Sequence, residues 1–308
     1  MTEPDRNSDR GGDLGRRLLL SAILIPLLIV LFTLDARSGP RALWLLGLSL
    51  VLSLRATWEM VALLKRPSFS PRFGPTAVCV VGVVVSGWWT HLVGRTTETG
   101  TGNLGPVAVA FTLSVLGLFL VSAVRYREPG SHMERLAAEL LIVGYVGLLL
   151  AVTAQLRWVA GDEAGYLALG SLVIAAKSGD IGAYTLGRLF GRRKMTPRLS
   201  PGKTWIGGLG AVLGAAAASW AWFCSAPALF NPFWVPCASA AAVLFGAVIG
   251  LVGLIGDLCE SLIKRDRGHK DSASLLPGFG GILDLLDSVL YAGPVAYLLW
   301  QILPLVTW

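Results

Sequence analysis

Asp257, Ser261 and Lys264 follow one another at i, i+4 and i+7, a spacing that lines an acid, a hydroxyl and a base along one face of a helix. Asp284, Asp287 and Ser288 share a face of the next apolar segment. Between the two lie Arg265, Arg267, Lys270, Asp271 and the turn Pro277-Gly278-Phe279-Gly280-Gly281, whose glycines permit a tight bend and close backbone approach. Carboxylates on two converging helices form a cage for a hard divalent cation, with phosphate oxygens and water completing the shell. A solvated charge run accounts for 264–271. It does not account for Asp257, Asp284 and Asp287, which sit within or beside long apolar runs where an ionised carboxylate is costly unless paired or metal-bound.

A second constellation lies upstream. Lys177, Asp180, Tyr184 and Arg188 fall at i, i+3, i+7 and i+11 in a stretch that is otherwise Gly, Ala, Leu and Ile, so one polar stripe faces protein or a wet cavity. A buried Lys-Asp pair that only fixes helix packing would read the same way. Ser200-Pro-Gly-Lys203-Thr204 ends like a nucleotide-hydrolase P-loop, but Pro197 stands where that motif needs its first glycine. What remains is a Pro-Gly turn entering a helix, with Ser200, Lys203 and Thr204 as donors for an anion. A basic loop that merely orients the chain is the competing reading.

Metal-binding carboxylates beside many phosphate-reading cations suit a polyphosphate reacting with a lipid. A phosphate monoester is mostly dianionic at neutral pH and needs no catalytic triad, so the obstacles are repulsion and positioning. The four cysteines form no Cys-x-x-Cys pair, and the three histidines accompany no Gly-x-Ser-x-Gly elbow, which argues against zinc, disulfide and Ser-His chemistry.

The elements that must position these groups are membrane helices. The chain has 308 residues, is 54% hydrophobic and 15% charged, with a mean hydropathy of +0.65. That composition defines an all-α integral membrane protein. Apolar windows at 18–34, 42–64, 74–94, 104–124, 138–157, 166–187, 205–224, 237–258 and 282–304 give about nine transmembrane helices. Alternate loops hold 20 of the 26 Lys and Arg residues, against 4 on the other side. The N-terminus is therefore expected in the cytoplasm and the C-terminus outside. The net charge of +7 is explained by insertion and anionic lipids, and no nucleic acid is implied. Residues 1–17 read as a disordered cytoplasmic tail, 18–165 as a transmembrane scaffold and 166–308 as the catalytic region. Arg55, Glu59 and Glu139 are expected to snorkel near cytoplasmic helix ends. Glycines at 207, 208, 210 and 214, and at 246, 250, 253 and 256, imply close helix packing.

At this point the sequence resembles the phosphatidate cytidylyltransferases. Ser261, Lys264, Arg265, Lys270, Asp271, Pro277, Gly278, Gly280, Gly281, Asp284, Asp287 and Ser288 match that family's C-terminal signature at its spacing. Asp180, Gly182, Ala183, Tyr184, Gly187, Arg188, Gly191, Lys194, Ser200, Pro201, Lys203 and Thr204 look like its upstream pattern. Three positions depart: the family commonly has His where Phe279 stands, Arg at Leu285 and Glu at Ile206. The resemblance implies that CTP and phosphatidate give CDP-diacylglycerol and pyrophosphate with Mg²⁺, in a homodimer, at the cytoplasmic face of the inner (plasma) membrane. It implies Asp257 and Asp284 as metal ligands and Lys264, Arg265, Asp271 and Asp287 as further catalytic groups. Asp180, Tyr184, Arg188, Ser200, Lys203, Thr204, Ser261, Lys270, Gly280 and Gly281 are then the substrate-binding set. A polyprenol or phytol kinase-like lipid phosphotransferase, a cation-coupled transporter and a non-catalytic scaffold are the rival readings.

Overall fold

A computed structural model describes residues 8–94, 104–159, 161, 165–230, 235–236, 239–268, 272 and 280–307. In chain order the helices are α1 (Ser8–Arg37), α2 (Leu43–Leu64), α3 (Phe73–Ser86), α4 (Trp89–Val93), α5 (Leu104–Val124), α6 (His132–Ile142), α7 (Leu149–Ala154), α8 (Leu156–Val159), α9 (Gly165–Phe190), α10 (Trp205–Ser225), α11 (Pro227–Phe230), α12 (Ser239–Arg265) and α13 (Ile282–Ile302). A π-helical turn, Val143–Leu148, joins α6 to α7, so that His132–Val159 forms one long apolar rod. Helices occupy all nine apolar windows, and six among the described residues are long and apolar enough to cross a bilayer. The protein is a helical, multi-pass membrane protein.

Two features differ from the expected pattern. Helix α1 begins at Ser8, inside the segment expected to be a disordered tail; extending an established apolar helix by further turns is much easier than nucleating one. The chain is also not purely helical. Strands β1 (Lys194–Thr196) and β2 (Ser200–Thr204) pair antiparallel, as do β3 (Val235–Pro236) and β4 (Val306–Thr307). Thr196 and Ser200 each precede a proline, which pushes both towards extended backbone.

The second half of the chain packs as a tight group of α9, α10, α12 and α13. Its helices approach through the glycine faces: a Cβ on Gly182 would overlap the carbonyl of Gly210, and one on Gly250 would lie 2.5 Å from Ala211 O. The rod His132–Val159 lies between this group and the α2, α3 and α5 layer, touching α3 on one side and α13 on the other.

Each end of the bundle is fastened by buried polar groups. At one end Asp35 is fully buried and accepts hydrogen bonds from Trp44 N at 2.7 Å, Leu45 N at 3.1 Å and the Tyr166 hydroxyl, with Arg157 Nε 3.8 Å away. At the other end the basic loops converge. Arg66 pairs with Asp266 at 3.0 Å, Arg267 Nη2 donates to Leu64 O at 2.6 Å, and Ser131 Oγ donates to Ser68 O at 2.7 Å.

Glu59 and Glu139 do not snorkel. Both are fully buried: Glu59 meets two backbone amides at the start of α13 and Arg55, and Glu139 meets one at the entry to α3 and the side chain of the same Arg72. Glu139 takes Arg72 N and Nε at 2.8 Å and Arg72 Nη2 at 2.7 Å, the entry to α3. Such complete pairing is what allows an ionised carboxylate to remain away from water.

Candidate active site

The converging ends of α12, α13, α9 and the β1–β2 hairpin build one polar cluster. Asp257, Glu260, Ser261 and Lys264 lie on one side of the last two turns of α12. The carboxylates of Asp257, Glu260 and Asp287 offer oxygens all within 4.8 Å of one another. Lys203, at the end of β2, reaches in from the hairpin and stands 2.9 Å from Asp257 Oδ2. Ser261 Oγ is 3.4 Å from Asp257 Oδ1. On the α9 side, Lys177 Nζ contacts Asp180 Oδ2 at 3.1 Å and Ser288 Oγ at 3.1 Å, so the polar stripe of α9 is tied to α13 beside Asp287.

Asp284, expected as a cation ligand beside Asp257, is held by protein groups on both oxygens. Its Oδ1 pairs with Lys264 Nζ at 2.6 Å, while Oδ2 accepts from Gly281 N at 2.7 Å, Ser272 N at 3.0 Å and Ser272 Oγ at 2.7 Å. It closes the first turn of its own helix and anchors the lysine. Lys264 in turn is held at 2.6 Å by Glu260 Oε2. A nearly buried ammonium between two carboxylates is well compensated. The acids that gather around a common point are therefore Asp257, Glu260 and Asp287, where the sequence pointed to Asp257 with Asp284.

Glu260 escaped the sequence reading. It sits one turn from Asp257 and is fully buried, with Oε1 lacking a hydrogen-bond partner among the described residues. Its i+4 spacing to Lys264 was the available signal, but that pattern is also the commonest exposed helix pair. Glu59 escaped as well, because it belongs to α2, far away in sequence. Its Oε1 accepts from Ile282 N at 3.1 Å and its Oε2 from Leu283 N at 2.9 Å.

Of the glycine turn, Gly280 and Gly281 lie among the described residues. Gly280 has φ +87°, a left-handed conformation natural to glycine. A Cβ on Gly281 would overlap Glu59 Oε2 and Ser272 Oγ. The Gly281 amide donates to Asp284 Oδ2 at 2.7 Å.

The other expected binding residues are scattered around this centre. Thr204 is the N-cap of α10, its Oγ1 accepting from Gly207 N at 3.1 Å, so its hydroxyl acceptor is committed to the helix. Ser200 is half-buried at the start of β2, and Arg265 Nε donates to Leu199 O at 3.4 Å, tying α12 to the hairpin. Arg188 Nη1 donates to the Tyr184 hydroxyl at 2.8 Å on the exposed side of α9, one helical turn and more beyond Asp180. Of the three departures from the family pattern, Ile206 is exposed on α10 and Leu285 is half-buried on α13. Lys270, Asp271 and Phe279 lie outside the described residues.

A site built from acids and lysines at the mouth of a helical membrane bundle fits nucleotidyl transfer to a lipid. Residues 15–303 match the Cytidylyltransferase family, and the chain belongs to it: it is a nucleotidyltransferase. Among curated proteins it is 35% identical over 256 residues to a phosphatidate cytidylyltransferase of Pseudomonas aeruginosa, a match covering 71% of this chain and 86% of that one. A phosphatidate cytidylyltransferase of Mycobacterium bovis is 28% identical over 309 residues, covering 98% and 93%. The uncharacterized protein YnbB of Escherichia coli is 40% identical over 135 residues, 44% of this chain and 43% of that protein.

Proposed function

We propose that this chain transfers CMP from CTP to phosphatidate, giving CDP-diacylglycerol and pyrophosphate, at the cluster formed by α9, α12, α13 and the β1–β2 hairpin. The observation that carries the reading is the approach of Lys203 to Asp257 beside Glu260 and Asp287, which puts cation-binding and phosphate-binding groups at one point. A phosphatidate phosphate oxygen attacks the α-phosphorus of CTP, the bond from that phosphorus to the bridging oxygen breaks, and pyrophosphate leaves with the electron pair. Attack by the dianion requires no protein base.

The residues fit a divalent cation. Three carboxylates point inward, and the buried Glu260 Oε1 has an unused acceptor site. Mg²⁺ suits such an all-oxygen donor set, and Asp257, Glu260 and Asp287 are the ligands we assign to it. When bound it would neutralise the triphosphate and the developing pyrophosphate charge. Lys203 is carried by the hairpin and is the side chain best placed to meet an incoming phosphate. Lys264 is fixed between Glu260 and Asp284 and holds the two helices in register. Arg188 and Tyr184, on the exposed α9 face, are assigned to the lipid phosphate, and Ser200, Ser261 and Arg265 to the edges of the site; Lys270 and Asp271 are kept as substrate-handling groups on the family resemblance alone.

The reading includes nine spans, an inner (plasma) membrane location, a cytoplasmic site and a homodimer. It also includes 18–165 as scaffold and 166–308 as catalytic region, with Glu59 as a contribution from the first to the second. The clustering of the basic loops at one end of the bundle supports the cytoplasmic assignment. The decisive experiment uses purified protein in detergent with phosphatidate, Mg²⁺ and CTP labelled at the α- or the γ-phosphate. Label from the α position should enter the lipid. Transfer of the γ label would make the chain a lipid kinase, and cation uptake without turnover would make it a transporter.

A further inference from the structure

We propose that Glu59, on the second helix of the scaffold half, is a positioning residue for the reaction: it sets where α13 begins and thereby aims Asp284 and Lys264. This rests on the activity assigned above. Glu59 is fully buried, and three N–H donors meet its two oxygens. Oε1 accepts from Arg55 Nε at 3.0 Å and Ile282 N at 3.1 Å; Oε2 accepts from Leu283 N at 2.9 Å and lies 3.3 Å from Ser272 Oγ. Together with Asp284, which takes Gly281 N at 2.7 Å, it satisfies three successive amides at the start of α13. These are amides that a helix cannot satisfy internally, and negative charge is favoured there.

The same contacts run on into the site. Ser272 packs between Glu59 and Asp284, its Oγ donating to Asp284 Oδ2 at 2.7 Å, and Asp284 Oδ1 holds Lys264, which holds Glu260. Glu260 is one of the three converging carboxylates. A shift at Glu59 therefore passes through three side chains, Ser272, Asp284 and Lys264, into the cation-binding group. No element of the 166–308 region supplies an equivalent clamp among the described residues. Gly281 is glycine for the same reason, since any side chain there would displace the Glu59 carboxylate.

Glu139 supplies an internal control. It is just as buried, is paired with Arg72 and accepts a backbone amide at the entry to α3, but it has no contact with α12 or α13 among its hydrogen bonds. Full-length Glu59→Gln and Glu139→Gln proteins, purified in detergent and compared at equal folded concentration, separate positioning from stability. Glu59→Gln should lower kcat by about 100-fold, the scale of loss for an ångström-sized misplacement. Its KM for CTP should stay within about threefold and its half-saturating Mg²⁺ should rise. Glu139→Gln should lose folded protein while keeping kcat per folded molecule. Equal kcat in both variants and wild type overturns the proposal, as does an equal loss in both. If Glu59→Gln does not fold, Ser272→Ala decides: a fall in kcat of about tenfold supports the linkage, and unchanged kcat overturns it. If the wild-type protein makes no CDP-diacylglycerol, the assigned reaction fails separately. Mn²⁺ binding followed by electron paramagnetic resonance then judges Glu59, with weaker binding than in Glu139→Gln in its favour and equal binding against it.

Discussion

Lys203 Nζ lies 2.9 Å from Asp257 Oδ2, joining a hairpin that precedes α10 to the C-terminal end of α12. The ammonium shields one of the three acids assigned to the cation and can exchange that contact for a phosphate oxygen. Lys203→Met should lower kcat/KM for CTP by about 100-fold, the scale seen when one charge-stabilising donor is lost. The unshielded acids should also bind Mg²⁺ more tightly, so the half-saturating concentration should fall. Rates measured over CTP and Mg²⁺ titrations check both, and an unchanged kcat/KM would remove Lys203 from the site.

The acids should divide into two kinetic classes. Asp257→Asn, Glu260→Gln and Asp287→Asn each remove a proposed ligand and should raise the Mg²⁺ requirement along with a loss of about 100-fold or more in turnover. Asp284→Asn should lose comparable turnover even at saturating Mg²⁺, because it releases Lys264 and the start of α13. Near-wild-type turnover in Asp284→Asn would exclude it from the active arrangement.

The ends of the bundle should be distinguishable from outside the cell. The loops containing Ser68, Ser131, Leu199 and Asp266 meet at one end. Single cysteines at Ser68 and Lys194 should therefore be shielded from a membrane-impermeant thiol reagent in intact cells and become reactive after permeabilisation. Labelling in intact cells would reverse the orientation.

Asp35 should matter for stability and little for chemistry. It accepts two amides at the start of α2 and the Tyr166 hydroxyl, at the opposite end from the acids. Asp35→Ala strands those three donors and removes the acid beside Arg157, at a cost of about 3–5 kcal/mol. Thermal unfolding in detergent should move to lower temperature, with kcat per folded molecule preserved. A loss of kcat at equal folded concentration would instead make this end part of the reaction cycle.

Much of this arrangement is written locally. Apolar windows placed the helices because span length is set by bilayer thickness and hydrophobic composition, and basic loops marked one end because charge is counted without knowing contacts. Asp257, Ser261 and Lys264 share a side of α12 through helical spacing alone. The tertiary structure decided which charges meet. Asp284 turned to Lys264 and the α13 amides, Glu260 took a place among the acids, Thr204 became a helix cap, and Glu59 crossed from the second helix to the start of the last. Periodicity within one helix states which residues share a face, but not which face of another helix they will meet. That choice comes from close packing through glycine faces and from the need of every buried charge and helix-end amide for a partner. For Glu59 and Leu283, those partners lie more than two hundred residues apart in the chain.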